Sequence, residues 1–140
     1  MTPDEIQLVV QTVERLRPRL PELAMAFYDR LFAEHPDLRV MFPTDLTALR
    51  GKFADELDTI VTAIPDLDRF LNRAGHLGAR HVEYGVRAGH YPMVGRALVA
   101  MLAERMGPHW SDEHEAAWAS AYSLVSEAML MGASPTVPMR

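Results

Sequence analysis

Apolar residues recur every three or four positions along most of the chain, which is the spacing of one face of an α-helix. Proline- and glycine-containing segments interrupt the pattern and divide the chain into six long helices and at least one short one. No segment of useful length alternates with the period of two that marks a β-strand. The pattern predicts an all-α fold of six to seven helices in one domain over residues 1–140, with a core at about 4–131 and a flexible tail at 132–140.

Capping residues and breaks locate the predicted helix boundaries. Thr2 and Glu5 predict a capping box at the first helix, and Ser111 predicts the N-cap of the last. Pro18 and Pro21 break the first run, and Pro65 breaks a later one. The second helix is predicted from Glu22 to about Glu34, and a short helical turn from His35 follows it. Thr44 or Thr47 is predicted to cap the third helix, and the fourth is predicted from Leu67 to Tyr84. The fifth helix is predicted to carry Pro92 in its first turn and to end near Gly107.

The stretch 74–95 contains three of the six histidines. An imidazole on an apolar helix face must find a partner, because an unpaired buried polar group costs about 1–3 kcal/mol. Two partners are open: a backbone carbonyl, which periodicity alone favours, or a metal bound through one ring nitrogen. The histidine in question is His81, which helical spacing places on one face with Phe70, Ala74, Leu77 and Tyr84.

Two aromatic residues have similar alternatives. Tyr28 lies within the apolar face of the second helix, where its hydroxyl either bonds a carbonyl or points at a bound ligand. Phe42 stands on a connection between helices. There it either plugs the edge of the core, which is slightly favoured, or contacts a ligand.

Composition narrows the chemistry. The net charge of −5 argues against nucleic acid as a partner, and no run approaches the ~18 apolar residues of a membrane span. The absence of cysteine excludes disulfides, zinc fingers, iron–sulfur ligation and thioether-linked haem. The polar start lacks a secretory signal, which leads us to expect a cytoplasmic protein.

Most enzyme signatures are also absent from the sequence. There is no GxSxG nucleophile motif, no GxxxxGK[ST] phosphate loop, no HExxH, and no ExxH pair for a di-iron site. The other histidines have simpler predicted roles. We expect His76 to be exposed to solvent and His90 to bond the backbone groups at a helix end. We expect His109 and His114 to form a surface cap. What remains is a cofactor held by one histidine in an apolar pocket, and haem fits that description.

With the helices in place, the chain resembles the globin domain of bacterial flavohaemoglobins and their single-domain relatives. The similarity spans about residues 4–131, and the order and spacing of its pieces make it specific. The matching pieces are FYDRLF at 27–32, HPDL at 35–38, MF at 41–42, LGARHVEYGV at 77–86, HYPMVG at 90–95, and AW with AY at 117–118 and 121–122.

The resemblance implies a role for each matching residue. His81 corresponds to the proximal iron ligand, and Tyr28 to the distal tyrosine that hydrogen-bonds bound oxygen. Phe42 corresponds to the aromatic residue that wedges the haem, and Tyr91 to a proximal-side tyrosine. Leu77 and Val94, on the same helices as His81 and Tyr91, complete this part of the predicted haem pocket.

The chain departs from the family pattern at two places. The distal glutamine position falls on Leu49 and the leucine one turn later falls on Phe53, so we expect a more apolar and crowded distal wall with Tyr28 as its polar group. The family's late-helix glutamate, which polarises the proximal histidine, falls near Ser134 and Pro135, where there is no acid.

The resemblance implies a haem b globin that reversibly binds oxygen, nitric oxide or carbon monoxide as a monomer or weak homodimer. Nitric oxide dioxygenation would require electrons from an external reductase, so the sequence leaves the enzyme assignment open. Gas sensing is a further use of the same site. The alternative from another class is a cofactor-free helical regulatory or interaction domain, in which His81 is a structural core residue.

Overall fold

Each long amphipathic segment forms an α-helix in the computed structural model, which describes residues 1–133. Short 3₁₀ helices at Arg17–Arg19, Pro36–Met41 and Gly107–His109 fill three of the connections, and no strand occurs within the described range. The all-α prediction is confirmed. The α-helices are α1 (Pro3–Leu16), α2 (Leu20–Glu34), α3 (Thr47–Ala63), α4 (Leu67–Glu83), α5 (His90–Met106) and α6 (Asp112–Ala133).

Helix starts at three places are fixed by side-chain caps. The Glu5 amide donates to Thr2 Oγ1 at 3.1 Å, and the Thr2 amide donates to Glu5 Oε1 at 2.9 Å, which completes the predicted capping box. Asp66 caps α4 through the Arg69 amide, and Ser111 Oγ accepts from the His114 amide at 3.3 Å. The predictions for Thr2 and Ser111 are therefore confirmed.

Two predicted helix starts are wrong. The second helix begins at Leu20 instead of Glu22, because Pro21 fits in a first helical turn, where no amide partner is needed. Neither Thr44 nor Thr47 caps α3. Leu46 occupies the N-cap position and makes no side-chain cap bond. Asp45, one residue earlier, supplies a local contact, since its Oδ1 accepts both the Thr47 amide at 3.0 Å and the Thr47 hydroxyl at 2.6 Å.

Two predicted helix ends also need correction. Tyr84 is the C-cap of α4 instead of its last residue and is 56% exposed, although its ring stays edge-on to His81 with the centroids 6.0 Å apart. Helix α6 continues through Gly132 and Ala133, so the tail predicted at 132–140 does not begin at Gly132. The rest of that predicted tail, 134–140, lies outside the described residues.

The core lies where the apolar faces of all six helices meet. Helix α6 packs against α1, α4 and α5, while α2 packs against α3 and α5. Helices α3 and α4 also contact each other directly. None of the helices within residues 1–133 has the length and hydropathy that a bilayer span requires. The largest fully buried side chains are Trp118, Phe70, Leu16, Leu23, Leu31, Met101 and Leu102.

Helices α4 and α6 cross with their backbones in direct contact. A Cβ atom at Gly78 would collide with the carbonyl oxygen of Met129, and one at Gly132 would collide with the carbonyl oxygen of Gly75. Backbone atoms cannot move aside as a flexible side chain can. Glycine at Gly78 and Gly132 therefore sets the distance between these two helices, and with it the position of the helix that carries His81.

We expect Gly78→Ala to destabilise the protein by about 2 kcal/mol or more, because an overpacked core typically costs 1–3 kcal/mol and here the clash is with backbone. Urea unfolding measures the change. Gly51→Ala is the matched control, since a Cβ at Gly51 on α3 meets nothing within 4 Å. That control should stabilise by about 0.5–1 kcal/mol through helix propensity. Equal stability of Gly78→Ala and the wild type would contradict the tight crossing.

Candidate functional site

His81 is oriented by its own helix. Its Nδ1 lies 2.7 Å from the carbonyl oxygen of Leu77, one turn earlier on α4. A carbonyl oxygen can only accept, so Nδ1 carries the proton and Nε2 of the neutral ring carries the free lone pair. The hydrogen bond from His81 to a backbone carbonyl, which the sequence left open as the alternative to metal binding, is therefore present. This bond uses Nδ1 and leaves Nε2 available to coordinate a metal.

His81 is not part of a metal site built from protein side chains alone. Within residues 1–133 no group of three or more His, Asp or Glu side chains could hold a metal ion. A metal on Nε2 of His81 would need its remaining ligands from a cofactor, and a porphyrin supplies four nitrogens.

Five aromatic rings from α2, α3 and the corner between them form one cluster. The ring of Tyr28 lies 5.6 Å from Phe42 and 5.7 Å from Phe53, both edge-on. Phe27 stacks on Phe53 at 4.7 Å, and Phe32 lies 5.0 Å from Phe42. These centroid distances are typical of favourable aromatic pairs. The structure thus brings together three of the predicted site residues: Tyr28, Phe42 and Phe53.

The hydroxyl of Tyr28 has no hydrogen-bond partner among the described residues. The side chain is 5% exposed, and burial raises the pKa of its phenol to about 12. The hydroxyl is consequently neutral at physiological pH and available as a donor. The ring packs against four phenylalanines, Phe27, Phe32, Phe42 and Phe53, and leaves that donor available to a ligand.

The other predicted contacts are apolar side chains that pack on the core without being fully buried. Leu49 precedes Phe53 by one turn on α3, and Leu77 precedes His81 by one turn on α4. Val94 follows Tyr91 by one turn on α5. Large apolar side chains that remain partly exposed along three helices suit a large, flat, apolar ligand. Together with Nε2 of His81 and the Tyr28 hydroxyl, they fit haem.

The corner that carries Phe42 is held by a residue that the sequence did not single out. Arg39 Nη1 donates to the carbonyls of Phe42 at 3.3 Å and Pro43 at 2.8 Å, and Nη2 donates to Thr44 at 2.8 Å. Its guanidinium also lies over the Phe32 ring, 5.2 Å from the centroid. Nothing in the local pattern distinguishes this arginine from a solvated one, because its partners are backbone carbonyls.

Tyr91 begins α5 and is 8% exposed. Its backbone carbonyl accepts a hydrogen bond from the hydroxyl of Tyr122 on α6 at 2.6 Å. Burial raises the pKa of the Tyr91 phenol, and burial together with the neighbouring Tyr91 phenol raises that of Tyr122. No hydrogen bond or ring contact joins Tyr91 or Tyr28 to His81 within residues 1–133.

The two sides of the site approach each other at the corner. A Cβ at Gly85, four residues after His81, would lie 3.9 Å from Cε of Met41, which precedes Phe42. Leu77 also lines an open groove of about 710 Å³ between α3 and α4. Most of the residues that line this groove are polar or charged, which distinguishes it from the apolar site. The groove residues include Glu56, Thr59, Arg69, Arg73, His76 and Arg80.

Three of the remaining histidines are where the sequence predicted them, whereas no hydrogen bond or ring contact joins His109 to the His114 cap within residues 1–133. His76 is exposed, and Nδ1 of His90 accepts the Arg87 amide at 2.9 Å at the start of α5. Nδ1 of His114 lies 2.7 Å from the Ser111 hydroxyl, within the predicted cap. These contacts account for His90 and His114 without a ligand.

Comparison with known proteins agrees with this geometry. The globin family model matches residues 25–129, so the chain belongs to the globin family. As a globin it is a haem protein of the gas-binding class.

Curated relatives are similar to most of this chain. It is 30% identical over 129 residues to the flavohemoprotein of Bacillus anthracis and 31% identical over 133 residues to that of Chromobacterium violaceum. These alignments cover 89% and 88% of this chain but 31% of each relative, so the chain spans about a third of the length of the curated relatives it matches.

Two solved structures show the same fold at low identity. A bacterial globin from Campylobacter jejuni superposes with a TM-score of 0.84 at 21% identity, covering 94% of this chain and 96% of that one. A hexacoordinated heme protein from an anhydrobiotic tardigrade gives 0.86 at 16%, covering 95% of each chain. The predicted fold and family are confirmed.

We expect Tyr28 to make stability fall at high pH. The unfolded tyrosine ionises near 10.0 and the folded one near pKa 12, so the unfolded state loses its proton first and stability declines as pH rises through this window. Between pH 9 and 11 the loss should be about 1.4 kcal/mol. Urea unfolding of the wild type and Tyr28→Phe at both pH values measures it. The free energy of unfolding of Tyr28→Phe should fall less than that of the wild type by that amount. Equal losses of stability in the two proteins would show that Tyr28 is not shielded from water.

Proposed function

We propose that this chain binds one haem b through Nε2 of His81 and binds a diatomic gas on the side lined by Tyr28, Phe42, Leu49 and Phe53. The observation that carries the proposal is the His81 bond. Its Nδ1 proton goes to the Leu77 carbonyl, which fixes the ring and the tautomer that coordinates iron. Haem would supply the ferrous iron at which the gas binds.

Tyr28 is the residue we propose for ligand discrimination. Oxygen gains partial negative charge on binding ferrous haem, and carbon monoxide gains much less. A neutral hydroxyl without another described partner therefore favours oxygen. Leu49 and Phe53 supply apolar surface and no donor, so they exclude water without competing for the ligand.

On the proximal side we propose a neutral imidazole. A carbonyl partner polarises a ligating histidine less than a carboxylate does. Two acids that might have served instead point elsewhere, since Glu83 is exposed and Glu127 lies in a shallow groove with Met1, Ser120 and Ser123. The position assigned from the family pattern, near Ser134 and Pro135, lies outside the described residues.

Reversible binding of oxygen is the core of the proposal, and nitric oxide dioxygenation is an extension of it. Dioxygenation of nitric oxide to nitrate at a bound haem would consume one electron per turnover. The flavohemoprotein relatives extend well beyond the matched third of their length. We propose that a separate reductase supplies that electron. Cytoplasmic location and a monomeric or weakly dimeric state stay predictions.

We expect His81→Ala to abolish stable haem binding, because it removes the axial ligand while leaving the apolar contacts in place. Haem titration followed by the Soret band measures the affinity. His76→Ala is the control, as this histidine is exposed on the same helix. Loss of haem in the control, with His81→Ala unaffected, would reverse the assignment. Haem-free wild type should also be less stable, since a ligand of the native state stabilises it.

We expect Tyr28→Phe to speed oxygen release about ten- to a hundredfold, because a hydrogen bond to a partly charged acceptor contributes about 1.5–3 kcal/mol. Carbon monoxide release should change little, and autoxidation should be faster. Leu49→Gln should slow oxygen release if its amide reaches the ligand. Stopped-flow dissociation of both gases measures the rates. An oxygen rate within about twofold of wild type in Tyr28→Phe would mean that another residue, with Lys52 the next candidate, holds the ligand.

A further inference from the structure

Tyr122 makes a contact that neither the globin resemblance nor the proposed function assigns. It lies in the middle of α6, and its hydroxyl reaches the backbone carbonyl of Tyr91 on α5, 31 residues away in sequence, at 2.6 Å. The pair is partly buried, which shields the bond from water. Because the acceptor is a backbone carbonyl, the link between α6 and α5 does not depend on the side chain at Tyr91.

The surrounding residues are fitted to that contact. The Tyr122 ring crosses α5 directly over Gly95, one turn after Tyr91. A Cβ atom at Gly95 would lie 2.5 Å from Cε2 of the ring and 2.7 Å from Cδ2. Any other residue at Gly95 would push the ring away and draw its hydroxyl from the Tyr91 carbonyl. The glycine and the tyrosine therefore act as one unit.

Tyr122 holds the N-terminal end of α5, which follows His81 along the chain. A short connection runs between His81 and Tyr91. In it the Val86 amide donates to the His81 carbonyl at 3.0 Å, and the Tyr91 amide donates to the Ala88 carbonyl at 3.2 Å. Most of the connection is exposed, including Gly85 with a φ of +86°. Local hydrogen bonds link its two ends, but packing against the core is sparse. The Tyr122 bond therefore ties the start of α5 directly to α6.

We infer that Tyr122 is a positioning residue of the proximal side: its hydroxyl anchors the first turn of α5, and thereby Tyr91, beside the segment that carries His81. This inference rests on the proposed haem site for its consequence at iron. It differs from polarisation of the histidine by a carboxylate, because the Tyr122 bond fixes the position of the main chain and transfers no charge to the imidazole.

Tyr122→Phe tests the inference, because it removes the hydroxyl and keeps the ring over Gly95. Tyr84→Phe is the matched control, because it removes an exposed hydroxyl and keeps the ring, which lies edge-on to His81 at a centroid distance of 6.0 Å. Hydrogen exchange with mass spectrometry, on the protein as purified, measures local opening. Loss of one hydrogen bond should raise exchange in peptides covering 86–95 about 2- to 12-fold. Peptides from α3 should not change.

Resonance Raman of the ferrous protein supplies the second readout. The iron–histidine stretching band should shift or broaden in Tyr122→Phe and stay as in wild type in Tyr84→Phe. Gly95→Ala should reproduce both effects of Tyr122→Phe, as it displaces the same hydroxyl. If Gly95→Ala fails to fold, the phenylalanine variant still decides the question, since it introduces no clash.

Three results would overturn the inference. One is unchanged exchange at 86–95. The second is a uniform rise in exchange along the whole chain, which would mark a general loss of stability. The third is a local rise in exchange with an unaltered iron–histidine band, which would confine the anchor to α5. Absence of a Soret band in wild type would instead reject the haem proposal, and the exchange measurement would still test the anchor.

Discussion

The backbone contact between α4 and α6 is the constraint on which the site depends. His81 can face a ligand in a defined direction only if α4 is held at a fixed distance and rotation relative to the core. Gly78 and Gly132 achieve this without any side chain in between, so the separation follows from hard backbone contact. One turn of α4 then carries the Leu77 carbonyl and the His81 ring as a single rigid group.

The fold was largely predictable because helical periodicity and breaks are local signals. Thr2, Glu5 and Ser111 cap their helices as expected, since capping depends on residues within one turn. The errors arose where a local signal had competitors. Leu46 stands at the N-cap of α3 without a side-chain bond, and Asp45 before it takes the amide and hydroxyl of Thr47. Tyr84 becomes exposed where α4 ends, although its ring stays edge-on to His81.

The site was predictable in part, and for different reasons at each residue. Periodicity placed His81 on an apolar helix face but left the carbonyl and metal alternatives open, and the structure shows that the carbonyl bond and a free Nε2 coexist. Tyr28 was assigned through the globin resemblance. Arg39 and Tyr122 were missed because each acts on a backbone carbonyl of another segment, and such contacts leave no pattern in a single sequence.

The corner held by Arg39 has a consequence for mutational tolerance. Three successive carbonyls, at Phe42, Pro43 and Thr44, are satisfied by one guanidinium, so the path of the chain there does not depend on which side chains those residues bear. Pro43 and Thr44 are exposed and free to vary, whereas Arg39 is not replaceable by lysine, whose ammonium lacks the planar fork. Substitutions at Pro43 and Thr44 therefore leave the position of the Phe42 ring unchanged.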